Sequence, residues 1–360
     1  MKSLFDQTQW AGMKLKNRVI RSATYDGLAD ESGHMTEELF RVYENLAKGG
    51  VGTIITGLTY VSDREEPIPR QMGIYNDSFI DEYKKLTEMS HQYDAKIILQ
   101  IACLGSQTSP RPNVKVMWGP SAIEDLFYKT IPQAMTAQDI LFVQSAFADA
   151  AFRAKEAEFD GVQMHVAHGY LLSKFLTPYY NRRTDCYGGS IENRARMVME
   201  TYQAIREKVG PEYPVLIKIN CEDFMEQGMT FADCKYVCKE LTKLGVNAIE
   251  ISGGVPSSMP DIGTVRKIKA EQESYFKHYA AEIAQEIRVP VILVGGNRNI
   301  TSLTEFLNKT SVEYIALSRP LICESNLINR WQSGEHDSVK CVSCNKCFRL
   351  GGTRCIFNSK

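Results

Sequence analysis

The stretch HVAHGYLLSKFL, residues 165–176, sets two imidazoles three residues apart and a phenol two residues beyond the second. Imidazole N–H groups can hold an oxygen of a ligand and stabilise charge that grows on it during reaction. A neighbouring tyrosine is suited to give up a proton as general acid. His165, His168 and Tyr170 are therefore candidates for an oxygen-gripping, proton-donating site. A metal would need a third and a fourth ligand, and no acidic residue or further histidine stands at a helpful spacing. Packing is the third reading. It is weak because the pair falls at a strand end and not on a clear apolar face.

Two other groups of residues carry chemistry. Lys218 sits at the end of the apolar run VLIKI, where a buried ammonium is costly without a partner. It would suit an electron-rich heterocycle that becomes anionic on reduction, or else an ion pair with Glu250 or Glu222. The second group is CVSCNKCFRLGGTRC, residues 341–355. Cys341, Cys344 and Cys347 follow C-x₂-C-x₂-C, and Cys355 comes seven residues later. Four thiolates from one short stretch suit a [4Fe–4S] cluster, with structural zinc or four free thiols as rivals. Glycines 351 and 352 suit the tight turn that so short a final spacing demands.

Elements must position these groups. Eight β-rich runs alternate with helical patterns: 19–23, 52–57, 96–102, 161–166, 215–219, 248–253, 289–296 and 314–318. They are mostly continuous apolar runs, as parallel strands covered on both faces require. Helical periodicity falls over 36–48, 81–92, 136–159, 190–208, 231–243, 276–287, 301–308 and 326–332, and Thr136 with Asp139 reads as a capping-box variant. The pattern predicts an α/β fold, a (β/α)₈ TIM barrel over residues 1–335, with a Cys-rich segment over 336–360. A doubly wound sheet is the runner-up, but no G-x-G-x-x-G follows an early strand. Long connections from Cys103 to about Met135 and from Gly254 to Tyr275 follow strands, so both should overhang the C-terminal face where barrel active sites lie. Gly295 and Gly296 after the seventh strand, with Arg319 after the eighth, read as a phosphate site.

Bulk properties exclude other classes. The 360 residues carry a formal net charge of −1, which gives no electrostatic case for nucleic acid or an anionic membrane. No apolar run nears the roughly 18 residues needed to span a bilayer. MKSLFDQTQW does not read as a signal peptide, so a cytoplasmic location is expected. Ten cysteines without an export signal argue against a disulfide framework.

The run DGVQMHVAHGYLLSKFLTPYYNRRTDCYGGSIENRARMVMET resembles the old yellow enzyme family of FMN-dependent oxidoreductases. LKNRVIRSA, WGPSAI, VGGNR and ALSRPL fit the same family, so the resemblance runs from about residue 3 to 335. It implies FMN at the barrel mouth. Ala23 and Thr24 would border the flavin and Tyr25 would tune it, while Gly57 and Gln100 would contact the ring. Lys218 would lie by the edge that turns anionic, and Gly295, Gly296, Ser318 and Arg319 would hold the phosphate. His165 and His168 match the pair that binds the substrate oxygen, and Tyr170 the proton donor. The implied activity is reduction of the C=C bond of activated alkenes (enones, nitroalkenes, enoyl or dienoyl compounds) with NADH or NADPH. Position 218 is often Arg in the family, Tyr25 replaces a smaller Thr or Cys, Cys103 stands where His is common, and Pro320 removes an N–H near the phosphate site. The cysteines resemble those of 2,4-dienoyl-CoA reductase and trimethylamine dehydrogenase. That implies a second reading, an iron–sulfur flavoprotein exchanging electrons with a separate redox partner. A metal-dependent barrel hydrolase using the two histidines, or a catalytically idle binding module, would be a different class.

Overall fold

The computed structural model describes residues 1–108, 115–348 and 351–358. Part of the first long connection, 109–114, lies outside them, as do residues 349–350 of the cysteine stretch.

Eight parallel strands form a closed ring: β1 Val19–Arg21, β2 Thr53–Ile55, β3 Lys96–Ala102, β4 Gly161–Val166, β5 Val215–Asn220, β6 Ala248–Ser252, β7 Val291–Leu293 and β8 Tyr314–Leu317. Each pairs with its neighbour in sequence, and β8 closes on β1 with Leu317 opposite Arg21. The expected TIM barrel is the observed fold. Around it run α1 Glu37–Lys48, α2 Ile80–Gln92, α3 Ala137–Glu156, α4 Arg196–Val209, α5 Phe231–Lys243, α6 Lys277–Glu286, α7 Ile300–Lys309 and α8 Leu327–Gln332. The Thr136–Asp139 capping box forms at the start of α3, and Thr230 with Asp233 makes a second one at α5. The helix expected over 190–208 is interrupted at Ala195, giving Ile191–Arg194 and then α4. Arg194 is held there by the carbonyls of Leu176 and Gly189 and by Asp233 at 2.9 Å.

Strand residues alternate between two environments. Val162, Met164, Ile217, Ile219, Ile249 and Ile251 pack outward into the strand–helix core. The inward positions change character along each strand. In β5 they read Leu216, Lys218, Asn220, and in β6 Ala248, Glu250, Ser252. The lowest layer is apolar: Ile20, Ile55, Ile98, Leu216, Ala248 and Ile292 meet Trp10, Met13 and Leu15 from an N-terminal hairpin. Trp10 Nε1 donates to the carbonyl of Asn247, just before β6, which fixes this plug at the N-terminal end of the barrel. Above it Ser22, Gln100, Gln163, Lys218 and Glu250 bring polar groups into the barrel interior.

Two cations tie down the loop after β3. Lys174, in the short helix Leu171–Leu176 after β4, lies 2.5 Å from Asp125 and donates to Ser106 Oγ. Both charges are almost fully buried, with side chains 1% and 3% exposed. Arg183 donates to the carbonyls of Pro120 and Met135. Asp125→Ala leaves the Lys174 ammonium buried without its carboxylate, and such a loss costs about 3–5 kcal/mol. A urea melt should show a lower midpoint at unchanged slope. A loss under about 1 kcal/mol, the range of solvated surface pairs, would mean that this pair is open to water in solution.

Candidate active site

A cavity of about 270 Å³ opens at the C-terminal mouth. Its wall includes every residue expected there from the sequence except Gly57: Ala23, Thr24, Tyr25, Gln100, His165, His168, Tyr170, Lys218, Gly295, Gly296, Ser318 and Arg319. Gly57 lies behind the wall, and its N–H donates to Tyr43 Oη at 2.9 Å. A Cβ at Gly57 would stand 2.7 Å from the Thr24 carbonyl, so the close approach of the β1 and β2 ends requires glycine.

The floor is a chain of buried polar groups. Gln100 Nε2 donates to Gln163 Oε1 at 2.7 Å, and Gln163 Nε2 donates to Glu250 Oε2 at 2.9 Å. Glu250 Oε1 accepts from Ser22 Oγ at 2.6 Å and from Lys218 Nζ at 3.1 Å. Lys218 also donates to Ser22 Oγ. Lys218 thus has Glu250, one of the two ion-pair partners weighed from the sequence, and it also lines the cavity.

The histidine–tyrosine group stands beside this floor. The His165 and His168 rings are 5.1 Å apart and nearly perpendicular, and the Tyr170 ring lies 4.6 Å from His165. The Ala167 N–H donates to His165 Nδ1 at 3.3 Å, which assigns the His165 proton to Nε2. His168 has φ of 62°, a conformation held by its N–H donating to Asn220 Oδ1 and its carbonyl accepting from Gln107 Nε2. Its Nε2 meets Ser252 Oγ at 2.7 Å. Burial, then the Lys218 charge, hold His165 well below the ordinary imidazole range. Burial, then His165 and Lys218, do the same for His168. Burial, with Tyr128 and Tyr25 nearby, raises the Tyr170 phenol. At neutral pH the site therefore presents two neutral imidazoles and one protonated phenol.

The far end of the cavity is cationic. Arg319, mostly buried, is held by the carbonyl of Arg266 at 2.8 Å and by Asn345 Oδ1 at 2.5 Å. Gly295 and Gly296 have φ of 109° and 74°, and a Cβ on Gly296 would stand 2.6 Å from Ile268 Cδ1. Ser318 Oγ and Thr24 Oγ1 are hydrogen-bonded at 2.8 Å. A flat, partly polar ring with a phosphate tail needs an apolar wall, a polar edge and a cation at its end. Leu58, Val294 and Ala23, then Gln100 and Lys218, then Arg319 provide these in turn. The residues present fit FMN.

The C-terminal segment closes one side. Ser343 and Phe348 line the cavity, Arg298 Nη1 donates to the Cys341 carbonyl, and Thr353 Oγ1 donates to the Tyr25 carbonyl at 2.6 Å. Cys341, Cys344, Cys347 and Cys355 line a second, small cavity together with Arg319 and Asn345. Among the described residues, no group of three or more His, Cys, Asp or Glu is arranged to hold a metal ion. No helix of the described residues is long and apolar enough to cross a membrane.

Several site residues were missed from the sequence. Ser22, Gln163, Asn220 and Ser252 act through hydrogen bonds that cross strands. Asn220 and Ser252 do stand two residues beyond Lys218 and Glu250, so inward alternation was the signal available. Lys174, a lone cation inside the apolar LLSKFL, was the signal for a buried acidic partner.

The family model described as "NADH:flavin oxidoreductase / NADH oxidase family" matches residues 3–338. The chain is 32% identical over 346 residues to an NADH oxidase of Thermoanaerobacter brockii, covering 95% of this chain and 53% of that protein. It thus spans about half the length of that relative. It is 31% identical over 322 residues to an NADPH dehydrogenase of Geobacillus sp. (strain WCH70), covering 89% and 90% of the two chains. A solved structure of morphinone reductase in complex with tetrahydroNAD is similar with a TM-score of 0.77 at 26% identity, covering 93% of this chain and 92% of that one. The match runs through all eight barrel strands, and on it the chain belongs to the NADH:flavin oxidoreductase / NADH oxidase family, that of the old yellow enzymes.

Proposed function

We propose that the chain is an FMN-dependent oxidoreductase that takes reducing equivalents from NADH or NADPH and reduces the C=C bond of an activated alkene. The observation that carries this reading is the convergence of two neutral imidazoles and a protonated phenol on a cavity shaped for FMN. The similarity to an NADPH dehydrogenase and to morphinone reductase supports it. It is the family match that leaves the hydrolase reading without support.

Bound FMN would supply hydride, accepted from the nicotinamide and given to the alkene. Lys218, held by Glu250 and Ser22, would neutralise negative charge at the ring edge nearest it, beside Gln100. Gly295, Gly296, Ser318 and Arg319 would hold the phosphate. His165 Nε2–H and the His168 ring would hold the electron-withdrawing oxygen of the substrate and stabilise its growing charge. Tyr170 keeps its proton until the α-carbon becomes basic, then delivers it. Ser252 and Asn220 fix the orientation of His168.

Tyr170→Phe should leave reduction of the flavin by NADPH or NADH unchanged and slow alkene turnover by roughly 10²–10⁴-fold. Stopped-flow measurement of the two half-reactions separates these effects. Slowing confined to flavin reduction would assign Tyr170 another task.

A phenol offers an oxygen to the same two donors. His165→Ala and His168→Ala should each weaken phenol binding by roughly tenfold or more, the worth of one strong hydrogen bond. Both rings are held below their ordinary value of 6.5, so neither ionises as pH falls through that value. Between about pH 6 and 8 wild-type affinity should rise only as the phenol itself ionises. An additional step near the ordinary imidazole value would show that a ring is charged.

A second reading concerns the four cysteines, and the cavity they share is the observation that favours it. We propose that Cys341, Cys344, Cys347 and Cys355, which are not arranged as a metal site in this structure, would hold a [4Fe–4S] cluster once drawn together, and that a bound cluster would supply single-electron transfer between FMN and a separate partner. Protein purified without oxygen should then be brown and contain about four irons per chain, one per cysteine ligand. Flavin without iron or acid-labile sulfide would overturn this, and stoichiometric zinc on the same sample would identify a structural site instead.

A further inference from the structure

One pair of nucleophilic side chains lies outside the site and outside the C-x₂-C-x₂-C pattern. Cys323 ends the short helix Arg319–Cys323 that follows β8. Its sulfur is 3.3 Å from that of Cys355. Both residues are buried, and with Cys341 they form a small cluster of their own. Asn358 Nδ2 donates to the Cys323 carbonyl at 2.7 Å, which ties the chain after Cys355 to that helix.

Cys355 borders two spaces. On one side it shares the small cavity with Cys341, Cys344 and Cys347. On the other it shares a larger cavity, of about 690 Å³, with Cys323. Cys323 does not line the four-cysteine cavity, so ligation by the motif gives it no role. It is a fifth thiol set against one member of the four, with a space beside both that admits a small molecule.

We propose that Cys323 and Cys355 are a dithiol that closes to a disulfide when a low-molecular-weight disulfide enters this larger cavity. The Cys355 sulfur attacks one sulfur of the small disulfide, whose S–S bond breaks. One small thiol leaves with the proton that Cys355 gave up, and a mixed disulfide remains on Cys355. The Cys323 sulfur then attacks the Cys355 sulfur, and the second small thiol leaves with the Cys323 proton. The two protein thiols lose two electrons and two protons, and the small disulfide gains them as two thiols. Once paired, Cys355 can no longer act as fourth thiolate beside Cys341, Cys344 and Cys347. The disulfide does not rest on the cluster reading, though its consequence for a bound cluster does.

The test uses the full chain with oxidised glutathione as probe, before and after exhaustive chelation. Free thiols are alkylated, the protein is digested, and peptides are mapped by mass. A Cys323–Cys355 linkage in most chelated molecules is expected. In Cys323→Ser the reaction should stop one step earlier, with glutathione retained on Cys355. Alkylation of both cysteines in the chelated wild-type chain, or pairing of Cys355 with Cys341, Cys344 or Cys347 instead, would overturn the proposal without needing the variant. Iron measured before chelation keeps the two readings apart. A Cys323–Cys355 disulfide in protein that never held iron supports this pair and refutes the cluster, and an iron-loaded chain that forms no such disulfide after chelation does the reverse.

Discussion

Lys218 and Glu250 face each other from adjacent strands in the barrel interior, with Lys218 on the wall of the cavity. Both are buried, and the pair is tolerable because Ser22 and Gln163 satisfy further hydrogen-bonding capacity of Glu250, with Gln100 bonded in turn to Gln163. The rest of the mouth depends on this arrangement. It keeps a positive charge at a fixed height above the apolar plug. That charge helps to keep His165 and His168 neutral, and the Ala167 N–H then leaves Nε2 as the donating nitrogen of His165. A barrel floor of apolar residues would pack as well and would do none of this.

The walls of the site are as specific as its floor. Tyr170 sits at the start of a short helix whose Lys174 reaches back into the loop after β3. Arg319 belongs to two cavities at once, and the same nitrogen meets a loop carbonyl and an asparagine from the cysteine segment. The C-terminal segment is thus built into the site. It contributes Ser343 and Phe348 to the wall and holds the Tyr25 carbonyl through Thr353.

Much of this was legible in the sequence, for identifiable reasons. Strand order followed from eight apolar runs separated by helical periodicity, because local pattern and long-range pairing agree in a barrel. The capping box at Thr136 is a purely local signal and formed as expected. The cavity residues were legible because chemistry clusters at strand ends, and Glu250 was already one of two partners weighed for Lys218. What stayed hidden depends on distant contacts. Asp125 lies 49 residues from Lys174, and nothing near it announces a buried partner. Nor did local pattern show that Gly57, expected to contact the ring, packs against the Thr24 carbonyl too closely for a Cβ. Spacing showed four cysteines suited to one metal, but could not show Cys323 against the last of them.

The Lys174–Asp125 pair has a consequence for anyone recombining such barrels. The loop after β3 is the obvious cassette to exchange between relatives when a different pocket is wanted. Here that cassette carries the counter-charge for a lysine that stays behind in the recipient. A chimera that imports a loop without an acid in register would leave an orphan ammonium in the short helix that begins after Tyr170, and an inactive product would then be mistaken for incompatible specificity.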